Sequence, residues 1–310
     1  MIAFIFPGQG SQYPGMGKDL ADNFPAAKRI FEEADEALGF ALSELCFNGP
    51  AEQLQLTENT QPAILTTSIA VLRAMQSEDF PAPNFVAGHS LGEYSALVAA
   101  DALTVTDAAK IVRARGGYMQ EAVPVGTGAM AAILGAGLQT VQEACDEAAQ
   151  GQVCSPANIN SAGQIVIAGD TAAIDRAIAI LKERGAKRAI KLNVSAPFHC
   201  ALMKPAQDRL AVDLENAGFQ DLTVPVITNV DAKPVVTGKD ARDSLVRQVS
   251  QPVRWLESVE FLINQGVKTF VEIGPGKVLS GLVRQINRDV RCVNVEDAAS
   301  LHSAREALAN

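Results

Sequence analysis

Cysteine, histidine, aromatic residues and basic charge are all scarce in this chain, and the scarcities remove whole classes of function. The five cysteines (Cys46, Cys145, Cys154, Cys200 and Cys292) are odd in number, widely scattered, and form no C-x-x-C pair. That argues against a disulfide framework or a zinc site and for a reducing compartment, so a cytoplasmic protein without a bound metal is expected. Acidic residues outnumber basic ones by 35 to 26, a formal net charge of -9, which is the opposite of the basic face that nucleic acid demands. No apolar run reaches the ~18 residues of a membrane span. The opening run, Ile2 to Phe6, halts at Pro7-Gly8 and has no basic flank. It reads as a buried strand and not as a signal peptide. Aromatic residues make up only 5% of the chain, and the abundant Ala and Gly suit helices packed closely on a sheet.

What is present is ordinary in amount and regular in pattern. With 310 residues, 48% hydrophobic and 20% charged, the chain can bury a substantial core. The first strand feeds a glycine-rich loop, Pro7-Gly8-Gln9-Gly10-Ser11-Gln12. Helical patterns follow over 24–38 and 66–76. Pro81 and Pro83 mark a loop before the strand Phe85-Val86-Ala87, which ends on Gly88, and a helix runs over 91–100. A further helix opens at a Thr106-Asp107 cap signal and runs to about Gln120. This strand-turn-helix alternation predicts an α/β protein with a largely parallel sheet. The rhythm then changes. Strand 129–134, helix 138–150, strands 153–158 and 164–168, helix 171–184 before Gly185, and strand 187–193 spell β-α-β-β-α-β, a ferredoxin-like unit. Strand patterns resume at 226–230 and 269–273. The expected domains are residues 1–123 together with 195–310, interrupted by an insert at 124–194.

The chemistry concentrates in Gly88-His89-Ser90-Leu91-Gly92, a G-x-S-x-G sequence with a strand before it and a helix after it. That context is what a nucleophile elbow requires, since the serine must ride a tight strand-to-helix turn and the glycines leave room for it. A serine hydroxyl needs a base to take its proton, usually histidine. Of the three histidines, His89 neighbours the serine and should project away from its hydroxyl, and His302 lies in a polar helical tail. By elimination the base is His199, in the loop Ser195-Ala196-Pro197-Phe198-His199. Two backbone amides should hold the developing oxyanion: that of Leu91, just after the nucleophile, and that of Gln9 in the glycine-rich loop. The same loop fails as a dinucleotide cradle, because Tyr13 stands where G-x-G-x-x-G needs its third glycine, and no Walker lysine follows.

As a set, Phe6-Pro7-Gly8-Gln9-Gly10-Ser11-Gln12, Thr60-Gln61-Pro62-Ala63, Gly88-His89-Ser90-Leu91-Gly92-Glu93, Arg115-Gly116, Asn160-Ser161, Pro197-Phe198-His199 and Glu272-Ile273-Gly274-Pro275-Gly276 resemble the malonyl-CoA:acyl carrier protein transacylases of fatty acid synthesis. The matches run in order from residue 4 to about 285. The resemblance implies an α/β-hydrolase-like large domain with the ferredoxin-like insert. It implies transfer of a malonyl group from coenzyme A through acyl-Ser90 to the phosphopantetheine thiol of acyl carrier protein, with no cofactor. It would pair Arg115 with the malonyl carboxylate and set the backbone carbonyl of Gln248 against His199, where a hydrolase has an aspartate. It places Gln61, His89 and Asn160 in supporting roles in the pocket, and Phe198 matches a malonyl-selective pattern in related polyketide acyltransferases. Ala162 and Asp101 depart from the family pattern without touching a catalytic role.

Two other classes share parts of this pattern. A serine esterase or thioesterase would keep Ser90 and His199 but add a triad carboxylate and lack the arginine. A carrier-protein docking module would not need Ser90. A discrete acyltransferase of a polyketide synthase or a malonate-degrading complex would share the chemistry itself. Acyl carrier proteins are generally acidic, as is this chain, so docking calls for a local basic patch. The segment 182–191 supplies five basic residues and one acidic, with Lys187 and Arg188 central, and Lys277, Arg284, Arg288 and Arg291 form a second basic stretch. A monomer is expected.

Overall fold

The computed structural model describes residues 1–124, 126–194 and 196–309. Ser195, at which the sequence reading resumes the large domain, lies outside the described residues. Among the described residues ten strands form two sheets: β1 (Ile2–Phe6), β2 (Phe85–Gly88), β3 (Gly128–Leu134), β4 (Cys154–Ser161), β5 (Gln164–Asp170), β6 (Arg188–Lys191), β7 (Val226–Ile227), β8 (Pro234–Val235), β9 (Thr269–Ile273) and β10 (Arg291–Val295). The larger sheet has the order β10-β9-β1-β2-β7-β8. It is parallel except for the short hairpin of β7 and β8. Its central strands are buried on both faces, which is why β1 reads as one unbroken apolar run.

The smaller sheet, β4-β5-β3-β6, is wholly antiparallel. Its side chains sort by the two-residue period of a strand. Ala131, Ile133, Ile165 and Ile167 face the helices Leu138–Ala149 and Thr171–Glu183, meeting Val141, Cys145, Ile174 and Leu181. The alternate residues Met130, Val166 and Ala168 belong to the main core of the molecule. β4 is also stitched to the large unit by two backbone bonds, from Ile159 N to Val253 O and from Val253 N to Ala157 O, each 2.8 Å.

Several elements differ from the sequence expectation. The helix expected over 66–76 runs from Thr57 to Ser77, with Pro62 inside it. The polar opening turns and the proline hid its first nine residues; Pro62, in the second turn, cannot donate to the Glu58 carbonyl, and the helix continues past it because its flanking turns are buried. Thr104, not Thr106, caps the helix Val105–Glu121, accepting from the Asp107 amide at 3.0 Å. The strand expected over 226–230 stops after Ile227. There the chain turns, closed by Ala232 N donating to Thr228 O at 3.0 Å, and that turn frees Asn229 for another use.

The elbow depends on glycine at two positions. A Cβ on Gly88 would lie 1.9 Å from the Gly92 carbonyl oxygen, and one on Gly92 would lie 2.1 Å from the Phe6 carbonyl oxygen. Both obstacles are backbone, so neither can swing aside. Gly88→Ala is therefore expected to cost more than ~3 kcal/mol in chemical denaturation, while Gly218→Ala, with open space around it, should stay within ~0.5 kcal/mol. Equal stability of the two variants would remove the steric account of the elbow.

Candidate active site

The carboxyl ends of the parallel strands carry the site, as is usual for open α/β sheets. Ser90 sits between β2 and the helix Gly92–Ala99. Its φ of 52 lies in the left-handed region, a strained setting for a residue with a side chain. The turn is held by Gly92 N donating to His89 O (2.9 Å), Glu93 N to Ser90 O (3.1 Å) and His89 N to Phe6 O (3.1 Å). Asn229 braces it from the turn after β7: Ser90 N donates to Asn229 Oδ1 at 2.7 Å, and Asn229 Nδ2 donates to Gly88 O at 2.7 Å.

His199, buried and also at positive φ (59), brings Nε2 to 2.7 Å from Ser90 Oγ. Its Nδ1 lies 2.8 Å from the backbone carbonyl oxygen of Gln248, at the end of the helix Gly238–Gln248. A carbonyl oxygen can only accept, so Nδ1 carries the hydrogen and a neutral ring leaves Nε2 free to accept from the serine hydroxyl. Burial first, then the positive charge of Arg115, hold this imidazole down at about 3. The ring is thus a proton acceptor at neutral pH.

Arg115 is 1% exposed. Its Nη1 donates to Gln61 Oε1 at 2.7 Å, and its Nη2 to Gln248 Oε1 at 2.9 Å and to Ser90 Oγ at 3.2 Å. It can lie this deep because Gly116 follows it. A Cβ there would strike Glu58 Cα at 2.6 Å and Thr57 O at 2.7 Å, so glycine lets the helix Val105–Glu121 press against Thr57–Ser77 and brings Arg115 to Gln61.

Ser90, His199 and Arg115 open into a cavity of about 130 Å³, walled on its apolar side by Met119, Met130, Leu192, Val194 and Phe198 and reached also by Gln9, Gln61 and His89. His89 turns away from the serine, as expected, with Nε2 2.8 Å from Asn160 Oδ1 on β4. Neither the Gln9 nor the Leu91 amide is committed to an acceptor among the described residues. The residues named from sequence around Ser90 are therefore gathered in one place. Sequence reasoning missed Asn229 and the side-chain roles of Glu93 and Gln248. A polar residue just past the carboxyl end of a strand was the available signal for Asn229. Lys187 and Arg188 are exposed, 187 beside Gly135 and 188 on β6. Within the same segment Arg184 is paired with Glu147, and Lys191 with Asp175 at 2.8 Å.

Residues 3–306 match the acyl transferase domain family. The chain is 51% identical over 305 residues to the malonyl CoA-acyl carrier protein transacylase of Escherichia coli K12, covering 98% of this chain and 99% of that one. It is 52% identical over 308 residues to the Bacillus subtilis protein of the same name, covering 99% and 97%. A solved complex of a type II PKS acyl-carrier protein with its malonyl-transacylase superimposes with a TM-score of 0.96 at 50% identity, covering 99% of each chain. The chain belongs to the acyl transferase family, with the malonyl CoA-acyl carrier protein transacylases. Family membership accounts for the ordered motifs found along the sequence. No helix among the described residues is long and apolar enough to cross a membrane.

The lowered basicity of His199 has a direct signature. A base whose folded value lies near 3 stays unprotonated throughout the range in which a free histidine, with a value of ~6.5, would charge. In labelled protein, the His199 ring nitrogens should therefore show no titration between about pH 5 and pH 8. A titration step in that window, assigned to His199 through its absence in His199→Ala, would contradict the burial argument.

Proposed function

We propose that this chain moves a malonyl group from coenzyme A to the phosphopantetheine thiol of an acyl carrier protein by way of an acyl-Ser90 intermediate. Ser90 Oγ attacks the thioester carbonyl while its proton passes to His199 Nε2. The amides of Gln9 and Leu91 take the tetrahedral oxyanion. Collapse breaks the carbon–sulfur bond, and His199 returns the proton to the departing thiolate. The carrier's thiol then attacks the acyl-serine by the same steps in reverse, so the kinetics are ping-pong. No metal or redox cofactor enters this scheme. His89, Gln61, Asn160 and Phe198 shape the pocket, and the Gln248 carbonyl orients the base. The same reading takes residues 1–123 and 195–310 as an α/β-hydrolase-like catalytic domain, which the elbow after β2 supports. It takes 124–194 as a ferredoxin-like insert, supported by the strand order β4-β5-β3-β6 and two helices on one face.

One observation carries the malonyl assignment: a buried arginine 3.2 Å from the serine hydroxyl. Malonyl and acetyl thioesters differ by one carboxylate, whose desolvation costs several kcal/mol unless a fixed cation replaces the lost water. Arginine suits this task because it stays charged when buried and its planar fork can meet both oxygens. It also speaks against an esterase reading, as does the carbonyl in place of a triad carboxylate.

Acylation followed by intact mass, with malonyl-CoA and acetyl-CoA in parallel, tests the mechanism and the assignment together. Malonyl-CoA should add one malonyl group at Ser90, absent from Ser90→Ala, and His199→Ala should slow the addition steeply. A charged hydrogen-bonded contact is worth ~1.5–3 kcal/mol, so Arg115→Ala should lose roughly 10–200-fold with malonyl-CoA while acetyl transfer holds or rises. Arg115→Lys should recover only part of the loss. Equal losses for both substrates would make Arg115 a structural residue, and an adduct on cysteine would refute the acyl-serine.

Lys187 and Arg188 are proposed to steer the acidic carrier protein. They are exposed and have no carboxylate within 4 Å among the described residues. Reversing both charges should raise the Michaelis constant for carrier protein and leave acylation by malonyl-CoA unchanged, because only the second half-reaction needs the encounter. Equal effects on both half-reactions would exclude docking.

A further inference from the structure

We infer that Glu93 is the counter-ion of Arg115 acting at one remove, with the Gln248 carboxamide standing between them so that part of the guanidinium stays open to an acyl carboxylate. The inference rests on the reading of Arg115 given under Proposed function. Glu93 lies in the first turn of the helix Gly92–Ala99 and is wholly buried. Its Oε2 accepts from Gln248 Nε2 at 2.8 Å and from Asn229 N at 3.0 Å. On the other side, Gln248 Oε1 accepts from Arg115 Nη2 at 2.9 Å. The amide's polarity is fixed by Ser90 O, a carbonyl that can only accept and lies 2.9 Å from Nε2, and Glu93 Oε2 accepts from the same nitrogen. Its dipole therefore points along the line from anion to cation.

The spacing matters more than the presence of the charge. No direct Glu93–Arg115 ion pair forms among the described residues, and the nearby Asp231 is already committed to Arg247 by two bonds of 2.9 and 2.6 Å. A carboxylate set directly on Arg115 would occupy the fork and shut out a substrate carboxylate. A buried guanidinium with no counter-ion would hold any carboxylate too firmly for the acyl group to move on. Attraction weakens with distance and with the polar group between, so the relay gives an intermediate answer.

Glu93→Gln keeps the shape and an acceptor for both donors while removing the charge. At about pH 8, above the value of about 7 to which burial lifts this carboxyl, the wild-type group is ionised. The expected result is a split: the Michaelis constant for malonyl-CoA falls about tenfold, onward transfer of malonyl to carrier protein slows comparably, and both acetyl half-reactions stay within about twofold. A packing defect would move malonyl and acetyl together. That outcome, or a rise in the malonyl Michaelis constant, overturns the inference. A thermal-stability cycle covers a poorly folding variant and needs no substrate. Glu93→Gln should lower Tm by about 5 °C or more in the wild type, where it strands a buried cation. In the Arg115→Ala background it should raise Tm, because there it removes a stranded anion. Equal drops in both backgrounds overturn the relay. Should wild-type protein form no malonyl-serine, the functional reading fails while the cycle still decides whether Glu93 answers to Arg115.

Discussion

Arg115 carries its charge at 1% exposure, and an ion so placed costs several kcal/mol unless polar partners replace its hydration. Those partners come from three distant stretches of chain. Gln61 arrives on the long buried helix, Gln248 on a helix beyond the small sheet, and Ser90 on the elbow. Each must be delivered to within about 3 Å, so one guanidinium fixes the mutual placement of most of the large unit. Gly116 is the local device that permits it, since any side chain there would push the two helices apart. The charge also reaches His199, where it is the second cause, after burial, of the lowered basicity of the ring.

The second constraint is backbone strain, and two residues that meet in the cavity share it. Ser90 and His199 both hold positive φ, at 52 and 59. Positions of this kind persist only where the surroundings over-determine them. At Ser90 the surroundings are explicit, with Asn229 bonding both the Ser90 amide and the Gly88 carbonyl while Gly88 and Gly92 leave no room for side chains. At His199 the ring is held from both nitrogens, by the serine hydroxyl and by the Gln248 carbonyl. Gln248 thus joins both constraints, its backbone facing His199 and its side chain facing Arg115 and Glu93.

What the sequence revealed follows from how local each signal is. The elbow was legible because its requirements, two glycines and flanking strand and helix, lie within a few residues of Ser90. The small sheet was legible because β-α-β-β-α-β is a sequential pattern with clean two-residue alternation. His199 could be reached by elimination only because the chain has three histidines. Arg115 and Gln248 had no local signature, and the family resemblance supplied them. The buried carboxyl of Glu93 sits inside a quoted motif, yet nothing nearby in sequence says that its partners are Gln248 and Asn229, 155 and 136 residues away. The first turns of the helix Thr57–Ser77 were missed for the opposite reason. Local polarity and Pro62 argued for a loop, and tertiary burial overrode them.

On the acyl-transfer reading, the choice of a carbonyl and not a carboxylate behind His199 has a chemical consequence. A carboxylate at Nδ1 would stabilise the imidazolium and raise the basicity of the ring. The Gln248 carbonyl fixes the same tautomer without adding negative charge, and Arg115 nearby depresses the ring further. A thiol, at ~8.5, needs little help from a base, whereas the Ser90 hydroxyl needs its proton taken. Both steps of the proposed reaction exchange an acyl group between serine and a thiol, one thiol leaving and the other arriving. His199 therefore answers two demands. It must be neutral and able to accept from the serine hydroxyl, which burial and the Arg115 charge secure. It must also hand that proton to a departing thiolate, which a ring of low proton affinity does readily. The same buried arginine that would meet the substrate carboxylate thus also keeps the base in its accepting form.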